Sequence, residues 1–124
     1  MSHWKNFKLD EFKCQHCGEN NIEHKLVDKL QLLREHLGFT FIISSGYRCK
    51  YHPAEKNKSK PGTHNLGIAA DIACSHKEAL QIVSKAQSYG FTGIGVNQKG
   101  NGRFIHLDIA KDTHEHPRPH IWSY

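Results

Sequence analysis

One of the longest apolar runs of this sequence carries a carboxylate at its centre, and that residue constrains the fold more than any other feature. Residues 67–74 form a short apolar run, which favours a strand, and Asp71 stands in the middle of it. Successive side chains of a strand alternate between faces, so Ala69, Asp71 and Ala73 share one face. Burial of a carboxylate between two alanines is costly unless it is paired or binds a metal. The fold must therefore bring a partner for Asp71 to this strand.

Two histidines stand where they can reach this aspartate. His106 lies within a second strand pattern, residues 103–110, and Asp108 shares its face by the same alternation. His64 precedes the first strand by a few residues. If the two strands pair antiparallel, His64, Asp71 and His106 converge, and three nitrogen and oxygen ligands with a fourth position left to water are typical of a catalytic zinc. Taken singly, each of these residues has an ordinary structural or surface role as its alternative.

Helical and strand patterns alternate along the rest of the chain. Apolar residues at helical spacing predict a first helix over residues 21–37, ended by Gly38, and a capping box that begins at Ser75 predicts a second helix, ended by Gly90. Strands are predicted over 39–45, 67–74, 92–97 and 103–110, a long loop over 46–66, and an irregular tail over 111–124. This order predicts an α+β fold in which helices pack on one face of a mainly antiparallel sheet. The length predicts a single domain, 1–124.

The composition narrows the class of protein. Hydrophobic residues make up 37% of the 124 residues, which is too many for a disordered tail, and no apolar run approaches the roughly 20 residues of a membrane span. Residues 1–5 lack the apolar core of a secretory signal, so we expect synthesis in the cytoplasm without a signal peptide. The net charge of +5 suits an anionic partner such as a cell wall, but no nucleic-acid motif is present. We expect a monomer with neither a nucleic acid nor a membrane as partner.

Three ordered segments carry a family resemblance: Ser45-Gly46-Tyr47-Arg48, the stretch from Thr63 to Asp71, and Ile105-His106-Leu107-Asp108. They resemble the peptidase M15 family, which includes zinc D-alanyl-D-alanine carboxypeptidases and dipeptidases and the L-alanyl-D-glutamate endolysins of phages. The motifs match the carboxypeptidase-like branch, and the resemblance extends over nearly the whole chain. It implies the hedgehog/DD-peptidase-like fold of that family and a Zn²⁺ cofactor.

The resemblance also implies roles for individual residues. His64, Asp71 and His106 would bind zinc. Arg48 would stabilise the oxyanion that forms when zinc-activated water attacks the substrate carbonyl. Asp108 would orient a ligand histidine through a hydrogen bond, and its alternative is an ordinary strand carboxylate that faces solvent.

The implied activity is hydrolysis of a stem-peptide bond of peptidoglycan, either as a D-Ala-D-Ala carboxypeptidase or as an L-Ala-D-Glu endopeptidase. A zinc metallopeptidase of this kind fits a phage or prophage product that acts on the cell wall. The alternative is a non-catalytic zinc-containing module of the same fold that binds wall peptides or a protein.

The chain departs from the family pattern at the positions that hold the general base and at one serine position. Gly62 replaces a serine that lies two residues before the first ligand. Relatives carry a carboxylate or histidine two, three or six residues before the last ligand as general base, and here these positions hold Phe104, Arg103 and Gly100, none of them a base at neutral pH. The base must come from elsewhere, or the zinc-bound water must lose its proton unaided. The remaining candidate bases are His114, Glu115, His116, His120 and Asp108.

The four cysteines leave several states open. Cys14-x2-Cys17 has the spacing of a zinc knuckle, but Cys49 and Cys74 are isolated from it and from each other. The sequence therefore argues against a zinc site made of all four cysteines. Disulfides are the expectation for an oxidising compartment, and free thiols for a reducing one.

Two aromatic side chains, Trp122 and Tyr124, end the chain inside the tail that is predicted to be irregular. Large aromatic rings carry much apolar surface, so packing against the core is their expected role. Lining of the substrate cleft is the alternative.

Overall fold

The computed structural model describes residues 4–124, so the first three residues of the predicted 1–124 domain lie outside it. The helices and strands of this part of the chain are α1 (His24–Leu37), β1 (Ile42–Ser45), β2 (Ala69–Ala73), α2 (His76–Ala86), β3 (Gly93–Asn97), β4 (Phe104–Asp108) and β5 (His120–Ser123). Short 3-10 helices cover Leu9–Phe12 and Gln87–Tyr89. Within residues 4–124, neither α-helix combines the length and the apolar character that a membrane crossing requires.

The strands form one sheet in the order β1-β2-β4-β3-β5. Neighbouring strands are antiparallel except for β3 and β5, which run parallel. The structure therefore confirms the predicted α+β class with a mainly antiparallel sheet. At its centre, the register of β2 and β4 sets Asp71 directly opposite His106, and β3 sets Gly95 opposite the same histidine.

Alternation along the two central strands gives the sheet an apolar face and a polar one. Ala70 and Ile72 of β2, with Ile105 and Leu107 of β4, are fully buried in the main core. The helices contribute further buried side chains to this core: Leu26, Val27, Leu30, Leu33, Ala79, Ile82 and Ala86. Each large aliphatic side chain stabilises the fold by roughly 1.5–3 kcal/mol when fully buried. The alternate residues, Asp71 and His106 among them, point to the other face, which the helices leave free.

The ends of the elements follow local chemistry. Helix α1 ends where Gly38 adopts a left-handed conformation with φ 78°, as its position predicts. Ser75 stands at the N-cap of α2, but its side chain makes no capping hydrogen bond, so the predicted capping box is wrong. The first helix begins at His24 instead of residue 21, and the strands are shorter than predicted. These differences of one to three residues leave the order of the elements as expected.

The tail differs in kind from its prediction. Residues 111–124 were expected to be irregular, yet His120–Ser123 forms the edge strand β5. The His120 N–H donates to the Thr92 carbonyl at 2.9 Å, and the Tyr124 N–H donates to the Val96 carbonyl at 3.3 Å. The two prolines that precede this segment are strand-breaking signals, and they hide its tendency to pair from a reading of the sequence alone.

Candidate metal centre

Three buried side chains meet on the polar face of the sheet. Asp71 comes from β2, His106 from the facing position of β4, and His64 from the end of the long loop before β2. Asp71 Oδ1 lies 3.2 Å from His64 Nε2 and 3.1 Å from His106 Nδ1, and the two nitrogens lie 3.2 Å apart. The convergence expected from antiparallel pairing of the strands is therefore confirmed.

The outer ring nitrogens of both histidines face hydrogen-bond acceptors. His64 Nδ1 lies 2.8 Å from the Gly46 carbonyl oxygen, and His106 Nε2 lies 2.8 Å from Asp108 Oδ2. Because a carbonyl and an ionised carboxylate accept hydrogen bonds but donate none, these outer nitrogens carry the protons. The inner nitrogens of the neutral rings then present lone pairs to each other and to Asp71. Three lone pairs at this distance repel one another. The arrangement is therefore stable only when a cation or an added proton lies between the three atoms.

The spacing of the triangle suits a metal ion. Zinc with ligand bonds of about 2.0–2.1 Å in tetrahedral geometry holds its ligand atoms about 3.3 Å apart. The observed separations of 3.1–3.2 Å are close to that value. His64, Asp71 and His106 could therefore hold a metal ion without a change in their backbone positions.

The electrostatics of the triangle also favour a positive charge. Burial raises the pKa of Asp71, but the adjacent rings of His106 and His64 outweigh it and hold the pKa well below its usual range. Burial lowers the pKa of His106, but the negative charges of the neighbouring Asp108 and Asp71 carboxylates outweigh it and raise the pKa. Both shifts mean that the carboxylates stay ionised and that a cation beside them is stabilised.

Asp108 holds the outer side of His106 in place. Its carboxylate is fully buried, and Oδ1 accepts from the Ala110 N–H at 3.1 Å and from Arg118 Nε at 3.0 Å. Oδ2 accepts from His106 Nε2 and from Arg118 Nη2, both at 2.8 Å. Gly93 lies across the sheet, where a Cβ would collide with the carboxylate. With four donors engaged, Asp108 orients His106 and has no free lone pair for a general base.

Arg48 lies beside the triangle, at the start of the long loop. Its Nη2 lies 3.3 Å from Asp71 Oδ2, and its Nη1 lies 3.5 Å from Glu55 Oε2. Its Nε donates to Ser45 Oγ at 3.0 Å. Glu55 is itself buried, with 5% of its surface exposed. Two carboxylates and a hydroxyl therefore fix the guanidinium at the edge of the site while 19% of its side chain stays exposed to a ligand.

A cavity of about 310 Å³ opens over the triangle, and the long loop, the sheet and the tail all contribute to its wall. Its lining residues are Arg48, Lys58, Gly62, Thr63, His64, Asp71, Phe104, His106, His116, Arg118, Trp122 and Tyr124. Basic groups and aromatic rings thus surround the three candidate ligands. The sequence did not single out Arg118, because its partner Asp108 is known only once the tail is seen to return to the sheet.

The tail forms one wall of this cavity, so the expected core position of Trp122 and Tyr124 is wrong. Parallel pairing sets Trp122 beside Gly95, and the Trp122 and His106 ring centroids lie 5.0 Å apart. The Arg118 guanidinium lies 5.2 Å from the centroid of the same indole ring. A Cβ on Gly95 would come within 2.8 Å of the indole, so this glycine makes room for the tryptophan.

Of the five candidate bases named from the sequence, His116 is the one that lines the cavity. A tight turn fixes its backbone: the His116 N–H donates to Thr113 Oγ1 at 3.0 Å, and its carbonyl accepts from the Thr113 N–H at 3.0 Å. The side chain is half-buried. A histidine is thus available beside the candidate ligands, although no base stands in the segment before His106.

The other tail candidates are engaged elsewhere or exposed. Glu115 forms an exposed ion pair with Lys60 at 2.8 Å, and the hydrogen bond from that lysine lowers the pKa of the carboxyl. His120 is exposed and stacks on Trp122, with ring centroids 5.5 Å apart. His114 is exposed. The Lys60–Glu115 pair joins the long loop to the tail, which are two of the three parts that surround the cavity.

A second group of possible metal ligands lies elsewhere in the fold. Cys14, Cys17 and Cys49 bring their sulfur atoms within 4.8 Å of one another, so Cys49 is not isolated as the sequence suggested. All four cysteines are free thiols, and Cys74 lies apart from this group. Burial raises the pKa of Cys14, but backbone N–H groups, first that of Cys49, outweigh it and lower the pKa to about 7. Burial raises the pKa of Cys74 to about 11.

Comparison with known proteins agrees with this geometry. A family model described as peptidase M15 matches residues 5–108. The matched range includes the three residues of the triangle and Arg48, and the tail that forms one wall of the cavity lies beyond it. No curated protein matches the chain.

Proposed function

Because the chain belongs to the peptidase M15 family, we propose that it is a zinc-dependent metallopeptidase whose metal ligands are His64, Asp71 and His106. The observation that carries the proposal is the triangle of three buried acceptor atoms, 3.1–3.2 Å apart, beneath an open cavity. Each outer histidine nitrogen already has its own acceptor, so the inner atoms are left for a cation. A purely structural cluster would have no need of a cavity above it.

The residues around the triangle are suited to hydrolysis of a peptide bond. His64, Asp71 and His106 would hold the zinc ion, which would supply a water of lowered pKa and polarise the carbonyl of the substrate. Arg48 stabilises the negative charge that develops on the carbonyl oxygen. Because Asp71 and Glu55 already fix its guanidinium, little reorganisation is needed as that charge appears.

We assign the general base to His116. Histidine is the commonest side chain in this role, and the base must lie within reach of the reacting water. His116 lines the cavity on the tail side, whereas Phe104 lines it at one of the positions where family relatives carry their base. The tail therefore replaces a group that the strand before His106 lacks.

The proposed substrate is a stem peptide of peptidoglycan, cut at a D-Ala-D-Ala or an L-Ala-D-Glu bond. A cavity of about 310 Å³ lies at the small end of ligand sites and suits a short segment of peptide. Arg48 and Lys58 in its wall would attract the carboxylates of such a peptide, and Trp122 would pack against its apolar parts. The net charge of +5 would favour approach to the anionic wall.

The test is product analysis on defined peptides. Zinc-loaded protein is incubated with a pentapeptide stem that ends in D-Ala-D-Ala and with purified muropeptides, and the products are identified by liquid chromatography and mass spectrometry. We expect loss of one alanine, or a cut between L-alanine and D-glutamate. His106→Ala should lower the rate by more than about 1,000-fold, because the ligand and its metal are lost together.

The matched control is His114→Ala, which removes an exposed histidine of the same tail that does not line the cavity. It should retain the rate of the unmodified protein. Equal rates for the unmodified protein and His106→Ala would refute the proposed activity.

A second candidate function is a non-catalytic zinc module that binds wall peptides or a protein. The specific observation in its favour is Phe104, whose ring lines the cavity where a proton-accepting side chain is expected. This candidate predicts that zinc-loaded protein binds the pentapeptide stem, measured by calorimetry, and releases no product after prolonged incubation. Turnover that depends on His106 would exclude it.

A further inference from the structure

Cys14, Cys17 and Cys49 form a compact thiol group that the proposed peptidase chemistry does not use. We propose that these three cysteines bind a structural zinc ion, separate from the His64–Asp71–His106 triangle. The ion would fasten the segment before α1 to the start of the long loop. Three thiolates and one histidine are an established ligand set for zinc sites of this kind.

The segment around Cys14 folds into a tight turn. The Gly18 N–H donates to the Cys14 carbonyl at 2.8 Å, and the Cys14 N–H donates to the Glu19 carbonyl at 2.7 Å. Gly18 adopts φ 80°, a left-handed conformation that glycine accommodates without strain. The closed turn brings Cys14 and Cys17 together although two residues separate them. Two ligands are thus positioned by local structure alone.

Backbone donors point at the sulfur atoms. The Cys49 N–H donates to Cys14 Sγ at 3.3 Å, and the Glu19 N–H donates to Cys17 Sγ at 3.4 Å. Such donors stabilise the negative charge of a thiolate, which is the form that binds metal. Cys14 and Cys49 are only 1% and 6% exposed and pack with Tyr47, so bulk water has little access to them. Cys17 is exposed and leaves a path for the ion to enter.

His52 is the candidate for the fourth ligand. It follows Cys49 at the same two-residue spacing that separates the first two cysteines, and its N–H donates to the Cys49 carbonyl at 3.1 Å, which turns the chain back toward the thiols. In the structure its Nδ1 accepts from the Ala54 N–H at 3.0 Å, so the ring must rotate to bind the ion. His16 is the competing histidine, with its ring centroid 6.2 Å from that of His52.

The site lies next to the groups proposed for catalysis. Cys49 directly follows Arg48, whose N–H donates to the His64 carbonyl at 3.2 Å. The Tyr47 N–H donates to the Phe12 carbonyl at 2.8 Å, so the segment before α1 already lies against this part of the loop. Metal binding across that contact would limit the motion of Arg48. The zinc ion at the thiol group would therefore act only by positioning Arg48.

The experiment counts zinc ions and identifies their ligands. Native mass spectrometry of the protein purified with zinc should give two ions for the unmodified chain, and one ion for either His106→Ala or Cys17→Ser. Cys17 is exposed, so its substitution leaves the core intact. Cys74→Ser is the matched control and should retain two ions, because Cys74 lies outside the group. Cobalt substitution of His106→Ala should give a thiolate-to-cobalt charge-transfer band in the near ultraviolet, and Cys17→Ser should weaken it.

His52→Ala should weaken zinc retention by the thiol site in a chelator competition, and His16→Ala should not change it. The reverse result would overturn the assignment of the fourth ligand. Two results would overturn the site itself. One is a single zinc ion in the unmodified protein that is still present in Cys17→Ser. The other is a Cys14–Cys49 disulfide found by peptide mapping without reductant. Neither result depends on peptidase activity, so this inference and the proposed function fail separately.

Discussion

Replacement of Asp108 by asparagine tests how strongly the site depends on the carboxylate that holds the proposed metal ligand His106. Asparagine keeps the shape of aspartate but removes its charge and replaces one acceptor oxygen with an NH₂ donor. Each carboxylate oxygen accepts from two donors, Ala110 N and Arg118 Nε on one side and His106 Nε2 and Arg118 Nη2 on the other. Whichever oxygen is replaced, two of the four hydrogen bonds become contacts between donors.

The magnitude follows from those contacts. At roughly 1.5–3 kcal/mol for each bond to a charged group, two lost bonds reduce the free energy of unfolding by about 3–6 kcal/mol. An independent estimate comes from the removal of one member of a buried ion pair, which lowers the free energy of unfolding by about 3–5 kcal/mol. His106 avoids the clash if its proton moves to Nδ1, but that nitrogen then offers no lone pair beside Asp71. We therefore expect zinc affinity to fall by about 10–100-fold.

Two assays separate these effects. Urea unfolding in the presence of a chelator measures the stability of the metal-free protein, and competition with a chromophoric chelator measures zinc affinity. Asp10→Asn is the control, because Asp10 is exposed and pairs with Lys13 on the surface at 3.3 Å. Wild-type zinc affinity in Asp108→Asn would refute the argument that this carboxylate sets the tautomer of His106.

Three further predictions follow from other parts of the structure. His116→Ala should lower kcat by roughly 10²–10⁴-fold at unchanged zinc content, measured by steady-state kinetics and metal analysis, and an unchanged kcat would remove it as the base. Gly95→Ala should push Trp122 out of the cavity wall, because the new Cβ would collide with the indole ring. The free energy of unfolding, measured by thermal unfolding, should fall by about 1–3 kcal/mol. Unaltered tryptophan fluorescence would contradict this contact. Cys74, with its pKa raised from 9.0 to about 11, should resist alkylation by iodoacetamide at pH 8 in the folded protein. The thiol loses its proton at a lower pH in the unfolded chain than in the folded protein. The contribution of Cys74 should therefore lower the stability as the pH rises from about 9 to about 11. Rapid labelling of the folded protein at pH 8 would disprove the raised pKa.

Local chemistry in the sequence was sufficient for the elements that form the centre of the fold. The apolar stripe of α1 and the left-handed Gly38 act within a few residues of each other, so pattern alone predicts them. The two-residue alternation of β2 and β4 likewise predicts which side chains leave the apolar face. One assumption, antiparallel pairing, then suffices to bring Asp71 and His106 together, because directly paired residues are neighbours by geometry.

The surroundings of that pair depend on contacts between segments distant in the chain, which no local pattern encodes. The parallel pairing of β5 with β3 places Trp122 and Arg118 in the wall of the cavity. This pairing joins the tail to the edge strand of a sheet that is made of distant segments. The meeting of Cys49 with Cys14 likewise joins residues 35 positions apart. The sequence by itself therefore determined the candidate metal triangle and the helices and strands other than β5. Tertiary structure decided the cavity wall, the position of the proposed base His116 and the thiol group, because each depends on contacts between segments that are distant in the chain.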